Sequence, residues 1–473
     1  MAIVQESTSV APPKVVIQHV TRKLGLSAII GIIFFSVSGG PYGLEDVVGS
    51  SGAGMAVLLI IVTPLIYSLP AALMVAELAT LMPVSGGYYQ WVKEALGPFW
   101  GFQAGWWAWV ASWFDLAIYP VLFVEFLAYF DVFGSSLENK NVKWLVMVGF
   151  IWVFAGMNML GSSIVGDSSK LFLVIVLAPF LLIVAIGLFK LKLSPVAPFT
   201  TKGISPAQAF GAGLFVIMWN YAGWDGLSTV AGDIDNPRRN YPRALAITIP
   251  MITIIYLVPT LVSLSVVGSS GVEWTAGAFT TIAERVGGSW LGYFLALAAV
   301  VSAIGLFSAW MLSYSRIPFA LANDGYLPKS LTKLHPTRRT PVVTIAIAAT
   351  ICSLIIRLDS FETLASMSVL VGGCVLLLEL ASLITLRRKR PELARPFKVP
   401  GGMAGVVAIF CSPLCVISIA VYYTVQESGF IGGVGYGVAG LISGVVAYFL
   451  LAPGKRRSGI DKRVDFATGE LVG

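Results

Sequence analysis

Twelve stretches of this chain stay apolar long enough to cross a bilayer, and only short polar connections separate them. They run approximately over 24–51, 55–80, 99–130, 143–162, 168–189, 207–233, 243–268, 290–322, 341–358, 361–386, 404–425 and 431–452. A hydrocarbon layer about 30 Å thick needs roughly 20 apolar residues of helix. Inside it, every backbone N–H and C=O must be satisfied by the chain, which only helices and closed barrels achieve. The expected fold class is therefore an all-α membrane protein with twelve transmembrane helices. Composition agrees: 57% of residues are hydrophobic and 12% are Asp, Glu, Lys or Arg, against roughly 25% charged in soluble domains. Soluble cores stop growing near ~250–300 residues, so an ordinary soluble enzyme of 473 residues is excluded. Disorder, which needs low hydrophobicity, is excluded as well.

The expected organisation is a cytoplasmic N-terminal segment (1–23), a core of ten spans (24–386), two additional spans (404–452) and a polar, disordered tail (453–473). No cleavable signal pattern opens the chain, so the first span is expected to act as an uncleaved insertion signal. Placing both termini in the cytoplasm leaves only seven of the 31 Lys and Arg residues on the opposite side: Lys140, Lys143, Lys190, Lys192, Lys202, Arg285 and Arg357. That asymmetry fixes the expected orientation, with the plasma membrane as the expected location. It also accounts for the net charge of +7 without nucleic acid. The two histidines, His19 and His335, lie in polar stretches, which disfavours a histidine metal site or a catalytic triad. Cys352, Cys374, Cys411 and Cys415 sit in apolar runs and read as small buried hydrophobes. No cofactor, metal or catalytic residue is expected.

Two spans look interrupted. The first carries Ser36-Val37-Ser38-Gly39-Gly40-Pro41-Tyr42-Gly43 at its centre, and the sixth carries Trp219-Asn220-Tyr221-Ala222-Gly223-Trp224-Asp225-Gly226. Gly and Pro lower helix propensity, and Pro removes a donor; the second break, lacking Pro, is the weaker signal. Breaks five spans apart fit two five-span units of opposite orientation, the arrangement of transporters with inverted repeats. Unwinding exposes backbone groups that lipid cannot satisfy. A polar substrate can, with a carboxylate at the N–H end of one half-helix and an ammonium at the carbonyl end of the other.

Ionisable side chains inside spans cost roughly 2.5–3.5 kcal/mol each at the helix centre. Glu45 and Asp46 follow the first break, Asp225 follows the second, and Asp115 and Glu379 lie nearer mid-span. Glu45 and Asp46 either serve the helix dipole or line a pathway. If all five acids face that pathway, it favours cations over anions. Trp219, Tyr221 and Trp224 flank the second break, where they can make cation–π contacts with an amine or gate it. Lys170, just inside the fifth span, is either an interfacial lysine or a buried ammonium able to exchange a proton.

The run Ala76-Glu77-Leu78-Ala79, then Pro83 and Gly86-Gly87-Tyr88, resembles the amino acid–polyamine–organocation superfamily. So does Gly223-Trp224-Asp225, with Ala231-Gly232-Asp233, Asn236-Pro237-Arg238-Arg239 and Tyr241-Pro242-Arg243-Ala244. Ser38 through Asp46, Trp100-Gly101-Phe102-Gln103 and Tyr119-Pro120-Val121-Leu122-Phe123 are similar to plant-type polyamine uptake transporters and L-type amino acid permeases. The resemblance implies the leucine-transporter fold: a 5+5 inverted repeat, broken helices 1 and 6, and two peripheral C-terminal helices. It implies a span 1 substrate site at Ser38, Gly39 and Gly40, and a span 6 site at Trp219, Asn220, Tyr221, Ala222 and Gly223, with Trp219 as the aromatic gate. It also makes Lys170 similar to the span 5 lysine of sodium-independent members. Pro41 departs from the usual Gly-Ser-Gly-Ile and removes one carboxylate donor.

The resulting expectation is a proton-coupled importer of polyamines or cationic amino acids. The expected partners are a small amine, protons and lipid, with no obligate heavy chain. A neutral amino acid permease or exchanger, and a sensor retaining the fold without flux, remain the alternatives.

Overall fold

The computed structural model describes residues 23–131, 134–357, 361–430, 434–458, 463–465 and 470–472. The first apolar stretch is two helices, α1 (Leu26–Val37) and α2 (Leu44–Ser51). Next come α3 (Ala53–Thr63) and α4 (Leu69–Leu81), joined without interruption by a π-helical turn, Pro64–Ser68. A short helix absent from the sequence reading, α5 (Gly87–Leu96), leads into α6 (Pro98–Ala128). α7 (Lys140–Met159), α8 (Ser162–Gly187) and α9 (Pro206–Asn220) follow. α9 starts at a capping box: Ser205 and Gln208 each bond the other's backbone N–H, satisfying two otherwise orphaned donors.

Beyond α9 the expected second half of the sixth span is not an α-helix. Two 3-10 turns, Gly226–Thr229 and Ala231–Asp233, take its place. α10 (Pro237–Val267), a second unanticipated short helix α11 (Ala278–Gly287), α12 (Ser289–Tyr314) and α13 (Arg316–Asn323) come next. The chain finishes with α14 (Val342–Ile355), α15 (Phe361–Lys389), α16 (Gly402–Phe430) and α17 (Tyr436–Ser458). The tail, expected to be disordered, contains a short antiparallel pair, β1 (Arg463–Asp465) with β2 (Glu470–Val472).

Eight of the described helical stretches are long and apolar enough to cross a membrane, and Leu26–Val37, Val342–Ile355 and Gly437–Ala452 are shorter apolar helices. The stretch Ser289–Asn323, which is α12 continued by α13, is the centre: 83% of its apolar window is buried, against 28% for α7, α8 and α16. It packs on α6 and α8, and α6 packs in turn on α15. The peripheral helices turn bare apolar faces outward, as with Leu171, Val174 and Leu181 on α8 or Phe449 and Leu450 on α17. In water, faces of this extent drive aggregation; in lipid they are matched. Cys411 and Cys415 belong to such a surface and are exposed, unlike buried Cys352, which corrects the reading of all four as buried.

Ion pairs stitch the end of the molecule that is rich in arginine. Glu77, near the end of α4 and fully buried, is held by Nε and Nη2 of Arg387, by Arg395 Nε at 3.1 Å and by the Val399 N–H at 2.7 Å. Lys93 of α5 meets Asp324 at 2.6 Å, and the Tyr89 hydroxyl donates to the same carboxylate at 2.5 Å.

Candidate functional site

α1 stops at Val37 and α2 starts at Leu44; α9 stops at Asn220, and no α-helix resumes before Pro237. The two interruptions lie against each other. Gly223 has φ +97°, and a Cβ there would sit 2.3 Å from the Ser36 carbonyl oxygen. Only glycine fits, on both backbone and space grounds. A Cβ at Gly43 would sit 3.3 Å from Asn220 Oδ1.

The backbone groups freed by the breaks are largely satisfied by the protein itself. Ser302 Oγ donates to the Gly39 carbonyl at 2.5 Å, and the Gly40 N–H donates to Ser38 Oγ at 3.0 Å. Tyr256 donates to the Asn220 carbonyl at 2.8 Å, and Trp224 Nε1 to the Tyr221 carbonyl at 2.8 Å. At the start of α2 the Gly43 N–H donates to Glu45 Oε2 at 2.7 Å. A carboxylate of the chain thus occupies the place where the dipole argument would put a substrate carboxylate. One acceptor is left over: Asn220 Oδ1 is buried without a hydrogen-bond partner among the described residues, although its Nδ2 donates to the Val216 carbonyl.

Two cavities meet at this junction. The larger, about 2090 Å³, reaches the arginine-poor end, where Lys140, Lys143, Lys202 and Arg357 line it together with Glu45, Asp46, Glu125 and Glu273. The smaller, about 110 Å³, lies deeper. Ser38, Trp219 and Leu306 line both and form the partition. Asp115 and Asp225 line the inner cavity with Tyr67, Tyr88, Tyr119, Tyr314, Trp224 and Trp310, and no basic side chain is among its described lining residues. Tyr119 and Tyr314 each donate to Asp115 Oδ2 at 3.3 Å, and the Trp310 and Tyr314 rings stack at 4.6 Å. Acidic groups among electron-rich ring faces, without a competing cation, make a pocket for an ammonium group.

The amino acid permease family model matches residues 24–448 of this chain. The chain belongs to the amino acid permease family. A polyamine transporter of Arabidopsis thaliana is 34% identical over 406 residues, 85% of this chain and 81% of the relative. One from Oryza sativa subsp. japonica is 34% identical over 398 residues, 84% and 73% of the two chains. A branched-chain amino acid permease of Bacillus subtilis is 24% identical over 453 residues, 90% of each. The permease is a transporter and not an enzyme.

Within the permease, the structure brings together Ser38, Glu45, Asp46, Trp219 and Asn220 at the outer cavity, and Ser38, Asp115, Trp219, Ala222, Gly223, Trp224 and Asp225 at the inner one. The structure places five of the expected residues away from the walls of both cavities. Gly39 and Gly40 line neither cavity, because Ser302 and Ser38 take up their polar groups. Tyr221 turns away from the site: its hydroxyl donates to the Ile60 carbonyl at 3.0 Å and its ring meets Tyr256 edge-on at 5.1 Å. Glu379 is fully buried behind the inner cavity and is not on its wall. Lys170 is about four-tenths exposed and pairs with Asp167 at 2.6 Å, one turn earlier on α8. Sequence reasoning missed Tyr67, Tyr88, Tyr119, Tyr314, Trp310 and Ser302. The i, i+4 spacing of Trp310 and Tyr314 on α12 was the available signal.

Proposed function

We propose that this permease moves polyamines and other cationic amines across the membrane, coupled to protons, by alternating access between its two ends. The observation that carries the reading is the inner cavity, with two carboxylates, seven aromatic side chains and no basic lining residue among those described. The Glu45 carboxylate on the Gly43 N–H supports it, because that contact disfavours the carboxylate of an amino acid at the same place. The names of the plant relatives agree with it. An extended amine with several charges can place one ammonium at Asp115 and Asp225 and another near Glu45 and Asp46, passing the Trp219 partition between them.

The same proposal assigns the remaining architecture. It has twelve spans in a 5+5 inverted repeat of the leucine-transporter type, two peripheral C-terminal helices, both termini in the cytoplasm and residence in the plasma membrane. The backbone contact of the two breaks at Gly223 and Ser36 favours this arrangement, since such transporters bind substrate where two discontinuous helices meet.

The test is uptake of radiolabelled spermidine, arginine and alanine into proteoliposomes under inward, outward and no proton gradient. Spermidine and arginine uptake that responds to the gradient, without alanine uptake, is the expected result. Alanine uptake without spermidine uptake sinks the proposal.

A further inference from the structure

Glu379 is fully buried on α15, and neither of its carboxyl oxygens has a hydrogen-bond partner among the described residues. Among the described residues the other fully buried acids each have an answer: Glu77 has two arginines, Asp324 has Lys93, Asp115 has two tyrosines, and Glu45 has a backbone N–H. Glu379 lies directly behind the amine pocket. Val375 and Leu376, one turn earlier on α15, line that pocket, and Asp225 stands on the same wall.

The ionisable groups around it are these. Tyr67 comes from the π-helical turn, Tyr88 from α5 and Tyr241 from α10, and all three are buried. From α6, Asp115 faces the shared cavity; from α4, Glu77 is already neutralised. On α16 and α17, Cys411, Cys415 and Tyr422 are exposed, while Tyr423 packs over Gly211 and Tyr448 against Phe99 and Phe102. No cation faces Glu379 among the described residues.

A buried carboxylate with neither donor nor counter-charge is costly, whereas its neutral acid is much less so. An ammonium group arriving at Asp225 supplies the missing counter-charge. Resting on the proposed amine pocket, we propose that Glu379 carries the coupling proton and exchanges it for the amine. The empty pocket holds Glu379 as the carboxylic acid. When an ammonium binds at Asp225, the Glu379 O–H bond breaks, the proton leaves through the cavity to solvent, and the carboxylate remains to help balance the substrate's charge. The amine keeps its own protons. Proton and amine therefore exclude one another, so coupling takes the form of exchange and not of joint carriage.

The experiment is proton release on adding spermidine to the purified, full-length permease in weakly buffered detergent, followed with a pH indicator, alongside the spermidine Kd as a function of pH. Wild type is expected to release protons on binding. Its Kd should weaken as pH falls, by up to about tenfold per unit for one exchanged proton. Glu379→Gln is expected to bind spermidine with one proton fewer released and a flatter Kd profile; Glu379→Asp is expected to restore release with a displaced profile. Undiminished release in Glu379→Gln overturns the assignment, as does release that vanishes in Lys170→Ala and persists in Glu379→Gln. Failure of wild type to bind spermidine overturns the amine reading itself, which separates the two failures.

Discussion

Asp225 shows how much one side chain decides in this pocket. It follows a glycine break and lines the inner cavity, in front of Glu379. A charge-assisted hydrogen bond contributes about 1.5–3 kcal/mol, so Asp225→Asn should weaken spermidine and arginine about 10- to 100-fold while sparing any residual neutral substrate. Equal loss of both classes in uptake assays would mean misfolding. Glu45 makes the complementary prediction. Its carboxylate holds the Gly43 N–H, and Glu45→Gln keeps an acceptor while removing the charge. The ratio of arginine to spermidine uptake should then rise, since an α-carboxylate meets less repulsion; an unchanged ratio would reduce Glu45 to a helix cap. At Gly223 any side chain meets the Ser36 carbonyl. Overpacking costs typically ~1–3 kcal/mol, so Gly223→Ala should lower the melting midpoint in detergent and abolish transport.

At the scale of elements, the arginine-rich end is held by buried charge. Arg387 of α15 grips Glu77 of α4 and also donates to the Val399 and Gly402 carbonyls, tying α4, α15 and the start of α16 together. Removing one partner of a buried pair costs about 3–5 kcal/mol because the other charge stays behind. Arg387→Leu should therefore be strongly destabilising, and Glu77→Leu with Arg387→Leu should recover part of the loss, since Arg395 keeps the carbonyls of Leu386, Leu393 and Arg390. Thermal unfolding of the single and double variants tests this; a double variant worse than either single one would refute the account. The sequence places Glu77 near the end of an apolar span. It could not supply the partner, which lies 310 positions away.

For the whole molecule, the cavities define which end is open. The outer cavity reaches the arginine-poor end, whereas the other end is closed by backbone pairing. The Leu24 N–H donates to Asp233 and the Asp235 N–H to Leu24, at 2.8 and 2.9 Å, and Gly86 donates to Thr229 at 2.9 Å. Arg316 adds an ion pair to Asp233 at 3.7 Å. These contacts clamp the start of α1 and the loop before α5 onto the segment that follows the second break. Arg316→Ala should shift the population toward opening at that end. A cysteine placed at Ala222, in a chain whose native cysteines are serine, should then react faster with an impermeant thiol reagent applied from the arginine-rich side. Unchanged labelling would show that the backbone pairing alone holds the closure.

The sequence by itself determined the material and the plan: helices in lipid, the asymmetric distribution of lysine and arginine, two breaks, and an excess of buried acids. These are one-dimensional properties, because bilayer thickness converts apolar length directly into a helix and a Gly-Gly-Pro run weakens a helix wherever it lies. Tertiary structure alone decided which acids share a cavity. Asp115 and Asp225 do, Glu45 caps its own helix next to the vestibule, and Glu379 stands one layer behind. It also decided that Tyr221 faces away, that Lys170 is paired, and that the second break continues as 3-10 turns. Those outcomes depend on the rotation of each helix about its axis and on which distant hydroxyl or guanidinium reaches a freed group. Neither quantity is encoded by local spacing.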